Sequence, residues 1–351
     1  MTNRNRMILE ARQLFERAMN GNLRARADLE EALSRSDFPI MLGAAYGREL
    51  QGEYAGISPI WQQFARRLQV PDFRRRKLVD IMGGRGALEK VKEAEEYPAG
   101  SASESERDFA VEKYGRRFPL TWEMIKNDDL SAFRDFPQRL ATAAREMEDR
   151  LALYPFFNDD RTALSSFLDA RDETSKPLNL ANLNAAFLNI SSRIDEEDDR
   201  PVLMPNPILM VPPALANVAA EIINTTEIRR GNSASDTGVQ RRTTGNGLTY
   251  TPTVVVNPWL PIVGRGYNKV NDTWYLLPGP NETVKPAMGV AFMNGEETPD
   301  LRVKSEAGNR VGGGAVAPEE GSFDDDTVQY RVRHVLGSTG LYDDAVYVGV
   351  G

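Results

Sequence analysis

The sequence predicts an α+β fold, on three observations. Hydrophobic residues recur at helical spacing in several separate segments, most cleanly between residues 136 and 154. Runs rich in Val, Thr, Tyr and Phe recur from Thr249 to the C-terminus, as strands require. Between Leu88 and Phe118 the chain is highly charged and interrupted at Pro98–Ser103, with a second arm that alternates as a strand does.

Composition sets the outer limits. With 351 residues the chain can bury a substantial core, in two domains or in one domain with long extensions. Its 41% hydrophobic and 27% charged residues are those of a soluble globular protein. No apolar run approaches the roughly 18 residues of a membrane span. The opening segment, Met1–Asn20, carries charge throughout and has no apolar signal region, so secretion is not expected. The absence of cysteine removes disulfides, thiol catalysis and thiolate metal sites together, and it suits a reducing compartment. A net charge of −8 argues against tight binding to a nucleic-acid backbone.

Taken in order, Ile8, Ala11, Phe15, Ala18 and Met19 mark a helix over 5–19, stopped by Asn20-Gly21, and Leu29 and Leu33 a second over 23–34. The basic cluster Arg74, Arg75, Arg76 and Lys77 is flanked by Val70, Phe73, Leu78, Val79 and Ile81. That setting favours a solvated or subunit-contacting face over nucleic-acid binding. Residues 88–118 divide at Pro98–Ser103 into two arms, each about 33 Å long if extended. The stretch Leu88–Glu96 has helical propensity, with Lys92 and Glu96 at i, i+4 spacing. In the second arm Phe109 and Val111 alternate with small or charged residues, as in a strand. Two strands alone are marginally stable in water, so such a ribbon needs a neighbour to lie on.

Asn127-Asp128-Asp129 supplies cap residues, and Asp135 precedes Phe136-Pro137 as a second cap with proline in the first turn. Leu140, Ala144, Met147, Leu151 and Tyr154 then form one stripe at spacings of 4, 3, 4 and 3. Arg139, Arg145, Glu146, Asp149 and Arg150 fall elsewhere around this helix, which Pro155 ends. Residues 156–178 read as a loop-rich connection, followed by a helix with Leu180, Leu183, Phe187, Ile190 and Ile194 on one side. Pro205–Val211 reads as a buried strand, leading through Pro212-Pro213 to a helix marked by Leu215, Val218 and Ile222. Residues 225–247 and Gly308–Gly321 read as mobile loops. Strands are expected at Thr249–Val256, Thr273–Leu277, Val284–Phe292, Val328–Val335 and Ala345–Val350.

Signals for chemistry are weak. The one histidine, His334, lies in an expected strand and reads as a hydrogen-bonded sheet residue. A single His without Cys excludes the two-histidine zinc protease motif and a Cys–His dyad. The acidic runs Asp195–Asp199, Asp324–Asp326 and Asp343-Asp344 lack the alternating ligands and glycine of a helix–loop–helix calcium site, and they read as solvated loops, with a loose divalent-cation site between subunits as the lesser alternative. Gly83-Gly84-Arg85-Gly86 lacks the Lys-Ser/Thr of a phosphate loop. No Gly-x-Ser-x-Gly elbow occurs. No catalytic, metal or cofactor residue is therefore expected.

One segment resembles a known family. Arg117-Phe118-Pro119-Leu120-Thr121-Trp122-Glu123, then Ile125, Asn127-Asp128-Asp129-Leu130, Phe133 and Pro137 with the alanine-rich helix start, is similar to the entry to the spine helix in major capsid proteins of tailed bacteriophages. The likeness is to Mu-like head subunits. It implies the HK-ninety-seven-type fold, in which residues 1–87 form an N-terminal arm with its attachments and 88–118 an extended β-loop. Residues 119–177 and 281–351 would form a peripheral domain containing the spine helix at 136–154, and 178–280 an α/β axial domain. The implied function is structural, with self-assembly into pentamers and hexamers of an icosahedral head around double-stranded DNA and no reaction catalysed. An acidic wall suits that task, because like charges keep packaged DNA mobile.

The resemblance also implies partners: further copies of the chain, portal and scaffolding proteins, and decoration proteins as an additional class. The location is the virion, after assembly in the host cytoplasm, with no membrane and no sequence-specific DNA contact. Inter-subunit contacts are expected at Arg74, Arg75, Arg76, Lys90, Lys92, Phe109, Lys113, Arg116 and Arg117. Some relatives cross-link Lys to Asn, for which Lys90, Lys92 and Lys113 are placed as donors; no cross-link is expected here. Scaffolding is expected from a separate protein, because the helical start is short. Two other readings remain open from sequence. One is an encapsulin-like compartment with protein cargo, and the other is a soluble hydrolase using acidic residues.

Overall fold

The computed structural model describes residues 38–79, 104–121, 135–169, 175–195, 200–202, 206–224, 227–230, 241–244, 250–280, 286–304, 327–344 and 346–351, together with residues 13, 14, 17, 24, 172, 173, 204, 248, 308, 309, 315 and 316. In chain order the first elements are α1 (Phe38–Gly56), β1 (Ala65–Val70), β2 (Arg76–Val79), β3 (Glu104–Phe109), β4 (Glu112–Thr121) and α2 (Phe136–Ala152). Next come α3 (Ser166–Asp169), β5 (Asp172–Glu173), α4 (Leu180–Ser191), β6 (Ile194–Asp195), β7 (Arg200–Pro201), β8 (Ile208–Val211), α5 (Ala216–Asn224), β9 (Glu227–Arg230) and β10 (Arg241–Thr244). The last are β11 (Thr253–Val256), α6 (Leu260–Val263), β12 (Thr273–Leu277), β13 (Met288–Met293), β14 (Asp300–Val303), β15 (Gly308–Asn309), β16 (Ala315–Val316), β17 (Thr327–Gly340) and β18 (Tyr347–Val350). The mixture is α+β, as expected.

The chain divides into two compact units. The first comprises Met1–Pro59, Glu112–Met147 and Met293–Leu336. Its sheet is organised by β17, which pairs antiparallel with β4 from Thr327↔Thr121 to Leu336↔Glu112 and with β14 from Tyr330↔Val303 to Arg333↔Asp300. Residues 330–333 pair with both strands, so β4 and β14 flank β17. Leu50 and Tyr54 of α1 pack with Leu140, Ala141 and Ala144 of α2, and Phe118, Leu301 and Val332 close the cluster. Arg145 finishes α1: its Nε and Nη2 donate to the Tyr54 carbonyl at 3.1 and 2.8 Å, and its guanidinium lies 3.6 Å over the Tyr54 ring. A helix end leaves its last carbonyls without backbone donors, and a side chain supplies them here. The sequence pattern does not announce α1. Gly43, Gly47 and Gly52 interrupt it, each costing about 1 kcal/mol of intrinsic helix preference, so its apolar packing forms it.

The second unit comprises Ile60–Val111, Glu148–Phe292 and Gly337–Gly351. Its sheet has the order β11-β8-β12-β18-β5. β11 and β8 are parallel neighbours, as are β18 and β5, whereas β12 runs antiparallel to both β8 and β18. Parallel neighbours need a crossover, and α5 lies in the one between β8 and β11. On one face Leu209, Val211, Trp274, Leu276 and Tyr347 meet Leu183, Ala186, Phe187 and Ile190 of α4 and Ala219 and Ile222 of α5. On the other, Tyr275 meets Phe156 edge-on with ring centroids 5.0 Å apart. A sheet covered on both sides reads as a nearly continuous apolar run, which is why Thr273–Leu277 is buried throughout.

Several expectations are corrected. The helix expected over 136–154 ends at Ala152, and Tyr154–Phe156 forms a 3-10 turn at Pro155. Ile194 is not on the face of α4, which closes at Ser191; it starts the two-residue strand β6 and is 60% exposed. The loop expected over 225–247 carries paired strands at both ends, with Arg241↔Arg230 and Arg242↔Arg229 opposite one another. Within Gly308–Gly321, β15 and β16 pair. The second arm does not run unbroken to Phe118. It divides at Ala110-Val111: β3 pairs with β2, from Arg76↔Phe109 to Val79↔Glu104, and β4 joins β17. Residues 13, 14, 17 and 24 are helical; the rest of the helices expected at 5–19 and 23–34, the glycine run 83–86 and the segment 122–134 lie outside the described residues.

Two outcomes follow for stability. Gly349 stands opposite Trp274 in the β18–β12 ladder, and a Cβ there would lie 2.3 Å from Cε2 of the indole. That ring is also tethered, since Nε1 donates to the Lys176 carbonyl at 2.9 Å. Gly349→Ala is therefore expected to lower stability by about 1–3 kcal/mol in urea unfolding of the unassembled chain. Burial pushes the Tyr330 hydroxyl up to about 12. The folded value exceeds the unfolded one, near 10, so this contribution is complete below about pH 10 and is lost as pH rises to about 12. Tyr330→Phe should flatten that alkaline loss in unfolding midpoints taken across the same range.

Candidate assembly surfaces

The expected contact residues fall into three groups. Arg74 and Arg75 are exposed in the turn between β1 and β2, and Arg76 is exposed at the start of β2. Asp72 shapes that turn: Oδ1 accepts from the Arg74 backbone N–H at 3.2 Å, and Oδ2 accepts from Arg76 Nη2 at 3.1 Å. The hydrogen bond from Arg76 holds the Asp72 carboxyl below its ordinary value. Phe109 is half-buried and stands opposite Arg76 in the β2–β3 register, so it joins the arginine turn at the base of the ribbon. Lys113, Arg116 and Arg117 are exposed on β4, where Arg117 faces Arg331 across the ladder. Lys90 and Lys92 lie outside the described residues.

Charge is also buried, where periodicity did not place it. Asp149, expected on the polar side of α2, is 6% exposed, and its neighbour Glu148 is 0% exposed. Trp61 meets both. Its backbone N–H donates to Asp149 Oδ1 and its indole Nε1–H to Glu148 Oε2, each at 2.9 Å. Trp61 sits in a 3-10 turn, Ile60–Gln63, immediately before β1, and its ring lies 5.7 Å from that of Phe292. Two consecutive acids interrupting an apolar stripe, together with a distant Trp, were the available signal, but nothing local links residue 61 to residue 148. These groups hold structure: they fix the turn before β1 against α2.

His334 stands in β17 opposite Tyr114, buried, with the Tyr54 ring edge-on at 5.8 Å. Its place in the sheet is as expected. Among the described residues no group of three or more His, Asp and Glu side chains is placed to hold a metal ion, and no helix is long and apolar enough to cross a membrane.

A family model described as phage capsid protein matches residues 104–348. The chain belongs to that family. The α+β fold is thus that of a viral capsid subunit, a structural protein, as the resemblance implied. The matched region of this capsid protein begins at β3 and runs through α2 and both sheets to β18. No curated protein sequence matches it significantly. Among solved structures it is similar to the SrpI encapsulin of Synechococcus elongatus, with 12% identity over 84% of this chain and 88% of that one and a TM-score of 0.45. It is similar to the procapsid of satellite phage P4, with 12% identity, 86% and 98% coverage and a TM-score of 0.45. Gordonia phage Cozz gives 11% identity, 82% and 84% coverage and a TM-score of 0.46.

Buried acids tie the folding of this capsid protein to Trp61. Trp61→Phe keeps an aromatic ring but removes the indole N–H from a carboxylate with no access to water. The expected loss is about 1–3 kcal/mol by chemical denaturation. Adding Glu148→Met, which removes the acceptor as well, should recover part of it.

Proposed function

We propose that this capsid protein is the major head subunit of a tailed phage of Mu-like type, which assembles into pentamers and hexamers of an icosahedral shell around double-stranded DNA and catalyses no reaction. The family match over residues 104–348 carries the reading. The β2–β3 ribbon supports it physically, because its two strands pair only with each other among the described residues. Two-stranded ribbons are marginal in water and gain stability from a surface to lie on.

In this reading the projecting loop begins at β2 and ends near Phe109. The unit holding the five-stranded mixed sheet contributes most of the axial domain, and α2 serves as the spine helix. Lys113, Arg116 and Arg117 on β4 and the arginine turn before β2 meet neighbouring subunits, through interfaces of about 2,000 Å² or more. Portal and scaffolding proteins complete the head, DNA is enclosed without sequence-specific contact, and assembly takes place in the host cytoplasm.

Expression of the chain alone or with its scaffolding protein, followed by size-exclusion chromatography and negative-stain microscopy, tests this. Closed shells or capsomers are expected. A stable monomer under every condition would refute it, and particles filled with protein cargo in place of DNA would favour a compartment. Purified particles should yield intact single subunits on a denaturing gel, whereas a covalent ladder would show that Lys–Asn cross-links form.

A further inference from the structure

The turn between β1 and β2 displays more than it needs for its own fold. Phe73 is 52% exposed, and Arg74 and Arg75 beside it are exposed as well. Neither arginine makes an ion pair among the described residues, whereas Arg76 is paired with Asp72 at 3.1 Å. The carboxylate that shapes the turn is thus committed to Arg76 and to the Arg74 backbone, and the displayed side chains carry none of the turn's internal bonding. A shape fixed in advance lowers the ordering cost of binding. Aromatic residues and Arg are also the types that anchor protein interfaces.

Charge identifies the partner. Residues 60–79 hold Arg66, Arg67, Arg74, Arg75, Arg76 and Lys77 against Asp72 alone, a net of +5. The whole chain carries −8, which leaves −13 on the remainder. A second copy therefore offers carboxylates in excess. A phosphate backbone fits less well, because it calls for a stripe of cations and offers a phenyl ring little apolar surface.

We infer that the Phe73–Arg74–Arg75 turn is an inter-subunit anchor that seats against an acidic surface of a second copy of this chain, with the ring buried and the guanidinium groups paired to carboxylates. The inference rests on the reading of the chain as a shell subunit. Phe73, Arg74 and Arg75 are exposed in the free subunit, so substitutions there leave the fold intact.

Particle yield by sedimentation is compared for the parent chain, Arg74→Glu/Arg75→Glu, Arg74→Ala/Arg75→Ala and Phe73→Ser at about 50 mM salt and again at high salt, where surface charge is screened. The charge-reversed and Phe73→Ser chains should lose at least tenfold in yield at low salt, with unchanged thermal midpoints for unassembled subunits. The alanine pair should lose most of the salt dependence shown by the parent. Parental yield from the charge-reversed chain would overturn the inference, as would normal shells that fail only to retain DNA, which would assign the turn to nucleic acid. A parent chain that never forms particles would sink the shell reading itself.

Discussion

A carboxylate cannot be taken out of water without donors to receive it, and α2 takes two in succession. Removing an ionised acid from solvent costs several kcal/mol even after relaxation, so Glu148 and Asp149 dictate what must lie beside them. Trp61 answers with two N–H groups from one residue, one on the backbone and one on the ring. A single donor could be met by a rotating side chain. Two donors fixed on the same residue specify both where the 3-10 turn sits and how its indole is oriented. β1 begins four residues later, so its start inherits that placement. The same Trp61 ring lies against Phe292 at the end of β13, the strand beside β1. Polar specificity and apolar packing thus converge on one side chain.

Most of the fold was legible where burial is one-sided or complete. The α2 stripe of Leu140, Ala144 and Leu151 is buried, and the strand expected at Thr273–Leu277 has those bounds. The same holds for the helix through Leu183, Phe187 and Ile190, capped by the Asn179 side chain accepting from the Asn182 N–H at 2.8 Å. What was not legible has a common cause. In α1 the packing of Leu50 and Tyr54 overrides a glycine-rich sequence, and propensity cannot report a surface contributed by residues almost a hundred positions away. The division of the second arm at Ala110-Val111 is likewise non-local. Phe109 and Val111 alternate as a strand should, but the partner changes from β2 to β17 between them, and a period of two carries no information about partners.

The contact residues were legible as exposed charge and no further. Charge alone kept Arg74–Arg76, Lys113, Arg116 and Arg117 out of the core, yet it gave no hint that Asp72 forms its ion pair with Arg76 and not with the side chains of Arg74 and Arg75. That distinction needs the turn geometry. Conversely, Asp149 looked solvated because the stripe rule scores acids as polar, and only a distant Trp reverses the assignment.

β4 shows how a chain made to associate can still control how it does so. Among the described residues β4 has one strand neighbour, β17. A strand with a single neighbour is where backbone pairing with an extended segment has to be controlled. Pro119 removes one donor, Lys113, Arg116 and Arg117 place like charge along the strand, and Gly115 fits a position where a Cβ would meet the Val332 carbonyl at 2.7 Å. Proline and clustered positive charge oppose generic pairing through the backbone while leaving side-chain contact available. Recognition by charge and shape can be specific to one neighbour in one register, whereas backbone pairing alone would accept almost any partner. A subunit that must close a shell without forming fibres needs that bias, because an association that does not close continues indefinitely.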